Sequence, residues 1–161
     1  MKKTTFKNLL LFSFTLLASS CKKQTVDQLS LLPPATQTGA NTFGCLVNGF
    51  AFVPGNRSLI TGPLLTCQYG LFGNGYIFNL GAGAKVRSGN FASISVETDS
   101  LKIAAGETVP LTRFSTPGYA AGFYLENLPD HRTNDNAKGQ LMITHLDSIN
   151  HIVSGTFYLM Q

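Results

Sequence analysis

Phe43-Gly44-Cys45-Leu46-Val47-Asn48-Gly49-Phe50-Ala51-Phe52 is the stretch that decides how this chain folds. Two apolar runs flank Asn48-Gly49. Asn-Gly is what a two-residue type I′ hairpin turn selects, because both of its central residues need positive φ. A loop that short fixes the register, so Val47 faces Phe50 and Cys45 faces Phe52. Phe43, Cys45, Val47, Phe50 and Phe52 then fall on one face. It reads as a core face, in which burying each large side chain stabilises the fold by about 1.5–3 kcal/mol.

The period of two continues along the chain. Tyr76, Phe78 and Leu80 point one way, with Ile77 and Asn79 the other. Ala92, Ile94 and Val96 alternate with Ser93, Ser95 and Glu97, and Tyr119, Ala121, Phe123 and Leu125 with Ala120, Gly122, Tyr124 and Glu126. Leu141–Leu146 and Ile152–Met160 read as two more strands around Asp147-Ser148-Ile149-Asn150. Turn residues punctuate the gaps at Pro54-Gly55-Asn56, Gly73-Asn74-Gly75, Ser88-Gly89-Asn90 and Pro117-Gly118. Many short strands separated by turn signals predict an all-β chain, a single antiparallel β-sandwich or small barrel-like domain over residues 41–161.

The N-terminus has a different logic. Lys2, Lys3 and Lys7 precede a short apolar run, Leu9–Leu17, and Ala18-Ser19-Ser20 leads directly to Cys21. A transmembrane helix needs about 18 or more apolar residues, far more than this run provides. An ordinary secretory signal would be cut after Ala18-Ser19-Ser20 and leave a bare thiol at Cys21. A lipoprotein signal over residues 1–20 explains the cysteine as well. Its thiol takes a diacylglycerol thioether, and acyl chains held together anchor firmly because each buried CH₂ contributes about 0.8 kcal/mol. The partner expected first is therefore a membrane, reached through lipid on Cys21. Residues 21–40, with Pro33-Pro34 and no aromatics, read as a flexible tether in which only Leu29, Leu31 and Leu32 could dock on the domain.

Charge is read after that cut. The formal +4 includes three lysines of the signal; removing them from the twelve Lys+Arg leaves nine against eight Asp+Glu. A near-neutral domain does not predict nucleic-acid binding, which needs a basic patch. Lys22 and Lys23 stand where they could meet anionic head groups or simply be solvated.

Cys45 and Cys67 remain after Cys21. In an exported chain they could form a disulfide worth about 3 kcal/mol in the chain-entropy model, or be two small buried hydrophobes. They lack zinc-ligand spacing, and no metal or other cofactor is expected. The most polar segment, Asp130–Asn136, offers oxygens of the kind Ca²⁺ takes, but its spacing is not that of an EF-hand and a solvated hairpin tip accounts for it. Gly81-Ala82-Gly83-Ala84 ends a strand and opens no helix, so it is not a nucleotide fingerprint. His131, His145 and His151 have no nucleophile beside them in a recognised motif, and no catalytic residues are expected. The chain has no Trp; Tyr69, Tyr119, Tyr124 and Tyr158 are the candidate platform for a glycan or small ligand, or else sheet-surface residues that cap the edge of the core.

Two stretches carry a resemblance. Residues 32–49, LPPATQTGANTFGCLVNG, resemble the opening of an uncharacterised family of small lipoproteins from Bacteroidota. Residues 139–157, GQLMITHLDSINHIVSGTF, resemble its closing signature, and Ser19-Ser20-Cys21-Lys22-Lys23 is similar to signals of that phylum. The chain departs from the family pattern at Phe52, where Trp is usual, and at its end, where members run on into one more strand. The resemblance implies a β-rich domain on a lipid anchor in the cell envelope, at the outer membrane, either periplasm-facing or surface-exposed. With Lys22-Lys23-Gln24 after the cysteine and Asp27 as the first acid, it favours the periplasmic side. It implies no activity. Two functions are thus expected to compete: a non-enzymatic structural or binding domain, with another envelope protein as partner, and a tethered carbohydrate- or small-ligand-binding module.

Overall fold

The Asn48-Gly49 hairpin forms as its sequence requires. β1 (Cys45–Val47) and β2 (Phe50–Phe52) pair antiparallel with Cys45 opposite Phe52 and Val47 opposite Phe50. Asn48 has φ 50° and Gly49 φ 80°, the left-handed pair of a type I′ turn. The structure, a computed structural model, describes residues 26–55, 63–85, 89–126, 129 and 131–160. The expected signal, Cys21, Lys22 and Lys23 lie outside the described residues, as do Asn56, Ser88 and Asp130 of the turn and polar segments.

Eight further strands follow: β3 (Leu65–Phe72), β4 (Gly75–Lys85), β5 (Phe91–Asp99), β6 (Thr108–Leu111), β7 (Gly118–Leu125), β8 (His131–Arg132), β9 (Gly139–Asp147) and β10 (Ile152–Leu159). They build a five-stranded sheet in the order β3-β4-β5-β7-β8 and a three-stranded sheet in the order β10-β9-β6, all antiparallel. Neither sheet closes on itself, so the described chain is an all-β sandwich and not a barrel.

Register turns alternation into a core. Tyr69, Phe78, Thr98 and Tyr119 lie side by side across four strands, and so do Cys67, Leu80, Val96 and Ala121, then Leu65, Ala82, Ile94 and Phe123. This inner face meets two partners. Phe78, Val96 and Ala121 pack with Ile103 and with Val109, Leu111, Leu141 and Ile143 of the three-stranded sheet. Ala82, Ala84, Ala92 and Ile94 pack under Phe52, with Phe43, Cys45 and Val47 beside them. The hairpin and the three-stranded sheet thus share the second layer, and Phe157 joins the two halves. Its ring stacks on Phe43 at 5.6 Å, while Phe43 meets Phe52 edge-on at 6.4 Å.

Two expectations are corrected. Phe50 does not join the core face: it sits beside the turn and is 61% exposed, while Phe52 is 5% exposed. A three-residue strand next to its loop has only one end over the opposing sheet. The described part of the expected tether, residues 26–40, is also not free throughout. The side chain of Gln28 accepts a hydrogen bond from the Ala51 amide at 3.1 Å, and Pro33 and Leu32 lie against Gly44 so closely that a Cβ there would come within 2.6 Å of Pro33. Leu29 and Leu31, in a short 3-10 turn, stay exposed; Leu32 is half-buried.

The strand around His145 is irregular. The β9–β10 ladder pairs Ser154 with His145 but Gly155 with Ile143, which leaves Thr144 as an extra residue. A bulge resets the alternation, and Leu146 accordingly joins the core although it is out of step with Leu141 and Ile143. Gly155 is required there, because a Cβ would lie 2.5 Å from the Met142 carbonyl oxygen.

Candidate functional site

The outer face of the five-stranded sheet is paved with small residues where β5 and β7 pair. Ser95 lies opposite Gly122 and Glu97 opposite Ala120. Small side chains leave a shallow trough, and residues from two distant segments raise its walls. The β6–β7 loop brings Arg113 and Phe114; β8 and the residues after it bring Arg132, Thr133 and Asn134. Together they bound a pocket of about 330 Å³, at the small end of the range for ligand sites. Ala120 is only 4% exposed although it points away from the core, because this wall covers it.

The wall is fastened by hydrogen bonds. Thr133 is buried, and its hydroxyl donates to the Thr112 carbonyl at 2.5 Å and accepts from the Ala121 amide at 3.0 Å, while its own amide donates to the Ala121 carbonyl at 2.8 Å. One threonine therefore ties the ends of β6 and β8 to the middle of β7. The Thr112 amide donates to the Tyr119 carbonyl at 3.0 Å, and the Thr116 hydroxyl donates to Asp99 at 2.6 Å. That hydrogen bond, with a second from Ser100, holds the Asp99 carboxyl below its ordinary range. Gly118 allows the loop to close: a Cβ there would sit 2.7 Å from the Ser115 carbonyl oxygen.

Charge at the rim is partly spent. Arg113 donates through Nε and Nη2 to Asp135, at 3.2 and 2.8 Å. This hydrogen-bonded pair pushes Arg113 up and holds Asp135 down. Arg132 is also engaged within the chain. No described side chain hydrogen-bonds the Glu97 carboxylate, which is half-buried on the floor.

The residues singled out in the sequence lie elsewhere. The four tyrosines do not share a surface. Tyr69 and Tyr119 stand on the inner face in one row, and their hydroxyls donate to the carbonyls of Ile103 and Lys102 at 3.5 and 3.3 Å. They brace the 100–107 segment, and burial, then the Glu107 charge, pushes the Tyr119 phenol up. Tyr124 lies on the outer face of β7 and Tyr158 on the exposed side of β10, in the other sheet. Cys45 and Cys67 are free thiols, not a disulfide. Cys45 packs in the hairpin half of the core, and Cys67 sits on the edge strand β3. Burial pushes the Cys45 thiol up to about 11 and raises Cys67 as well, although Cys67 as a whole is solvent-exposed. Protonated thiols are poor nucleophiles.

His131, His145 and His151 stand on β8, at the β9 bulge and after the β9–β10 turn, so the fold gives them no common centre. In the polar 130–136 segment Asn134 spends its carbonyl on the amides of Asn136 and Ala137, and Asp135 spends its carboxylate on Arg113. Among the described residues no three His, Cys, Asp or Glu gather as metal ligands, and no helix is long and apolar enough to cross a membrane. Asp147 closes its turn by accepting from the amides of Asn150 and Ile149 and from the Asn150 side chain, which holds its carboxyl low.

The pocket residues escaped the sequence reading because they are polar or small and come from three separate segments. The one local signal was Arg113-Phe114, a cation and an aromatic together in a connection between strands. Comparisons with protein-family models, curated proteins and solved structures give no match for this chain. What the fold and pocket define is an all-β sandwich with a walled trough on one outer face.

Proposed function

We propose that this chain is a lipid-anchored cell-envelope protein, a member of the small Bacteroidota lipoprotein family it resembles, with a non-enzymatic β-domain that binds a partner or ligand. The observation that supports binding most is the pocket over Ser95, Glu97, Ala120 and Gly122, because its floor is built on paired strands and its wall is fastened by Thr133 and Asp99. Rigid elements of this kind hold a site more precisely than loops do. The anchor reading is supported by Lys2, Lys3 and Lys7, the short apolar run and Ala18-Ser19-Ser20 before Cys21. The lipid places the domain at the outer membrane, periplasm-facing or surface-exposed.

A second reading, a tethered carbohydrate- or small-ligand-binding module, is favoured by the same pocket over a purely structural role. The anchor is tested by feeding cells a clickable fatty acid. The wild-type chain is expected to be labelled and Cys21→Ser not; equal labelling of both overturns the lipid anchor.

A further inference from the structure

The pocket combines features that narrow its ligand. Its floor is made by the small residues Ser95, Ala120 and Gly122 on neighbouring strands. Phe114, 49% exposed, gives one wall an apolar surface. Around these stand hydrogen-bonding groups of both kinds: Glu97 accepts, the arginines donate, and Asn134, whose carbonyl is taken by the Asn136 and Ala137 amides and one amide N–H by the Arg132 carbonyl, has one N–H left to give. Charge there is largely balanced. Arg113 is paired with Asp135, Arg132 has its own interaction within the chain, and Glu97 adds a negative charge. A fully charged ligand therefore finds no large excess of opposite charge. Neutral hydroxyls find charged partners, and hydrogen bonds to ionised groups are about twice as strong as neutral ones.

A ring that is apolar on its faces and hydroxylated on its rim satisfies all of this at once. We infer that the pocket binds one neutral hexose unit of a glycan, its ring against the small-residue floor and Phe114, its hydroxyls on Glu97, the remaining Asn134 N–H and the Arg113 N–H groups that Asp135 does not occupy. A volume of about 330 Å³ has room for one such ring and not for a long oligosaccharide. The inference rests on the binding half of the function proposed above and names its ligand class; it does not depend on the lipid.

The test uses the full chain in detergent, titrated with glucose, galactose and mannose by calorimetry and by ligand-observed saturation-transfer NMR. At least one hexose is expected to bind the wild type. Glu97→Gln on the floor and Phe114→Ala on the wall are each expected to lower affinity about tenfold or more, the effect of losing a hydrogen bond to a charged group or an aromatic contact. Gly122→Leu, which fills the floor, is expected to abolish binding, with unfolding midpoints showing that each variant is folded. No binding of any of the three hexoses overturns the inference, and so does binding that survives Glu97→Gln and Phe114→Ala. If glucuronate or glycine binds while the hexoses do not, the site is real but the neutral-ring assignment is overturned. Equal fatty-acid labelling of the wild type and Cys21→Ser, with hexose binding intact, would overturn the anchor alone.

Discussion

The two faces of β5 use the same strand for opposite purposes. On the inner side Ala92, Ile94, Val96 and Thr98 are all buried to 3% exposure or less. On the outer side Ser93, Ser95, Glu97 and Asp99 are half-buried; the pocket wall stands around Ser95 and Glu97, and Thr116 reaches Asp99. The inner face is specified by its own sequence, because an apolar residue at every second position has one stable place to go. The outer face acquires its character only when the β6–β7 loop and the residues after β8 are folded over it.

The largest expected effects lie on the inner side. Leu111 is fully buried between the layers, so Leu111→Ala should cost about 2–5 kcal/mol in urea unfolding, whereas Ser95→Ala on the reverse face should stay within about 0.5 kcal/mol. Comparable losses at both positions would break the division between the faces. The hairpin carries the same contrast at closer range: Phe52→Ala should cost about 3–5 kcal/mol and Phe50→Ser less than about 0.5 kcal/mol, although both are phenylalanines of one three-residue strand. Next comes the buried hydroxyl that holds the pocket wall. Thr133→Val leaves the Thr112 carbonyl and the Ala121 amide without their partner and should cost about 1–3 kcal/mol. The loss of pocket geometry, read as altered NMR shifts at Phe114, should exceed any change at Leu141 in the core.

The smallest effect is an acid response confined to the wall. Asp99 is held low by hydrogen bonds from Thr116 and Ser100, and Asp135 by the hydrogen bond and charge of Arg113. A carboxyl depressed in the folded state adds stability that is fully present above its unfolded value and is lost as pH falls through the folded one. The β6–β7 loop should therefore stay fastened above about pH 4 and loosen below it. Amide exchange at Phe114 followed through that range checks this; loosening between neutrality and pH 5 would contradict it.

Sequence reading recovered what depends on neighbours along the chain. Asn48-Gly49 gives the hairpin and its register, and the alternation in 76–80, 92–97 and 119–126 gives β4, β5, β7 and their inward residues; β3 and β6, the latter carrying the buried Val109 and Leu111, leave no such mark. Alternation assigns a face and not a depth, so it does not tell exposed Phe50 from buried Phe52, and a one-residue insertion such as Thr144 leaves no mark in composition. The pocket was not legible. Ser95, Gly122 and Ala120 look like ordinary outward residues until Phe114 and Asn134 are brought over them. Tyrosine chemistry alone suggests a ligand platform, yet Tyr69 and Tyr119 turn inward to brace a loop.

The larger sheet packs on one face, and we propose that it binds on the other. Two-dimensional amide NMR of the full chain in detergent, recorded while galactose, glucose or mannose is added, tests it most directly. Shifts are expected at Ser95, Glu97, Phe114, Gly122 and Asn134, with Val96, Leu111 and Leu141 unmoved. No shifts with any hexose, or shifts centred on the hairpin or on β10, would contradict it.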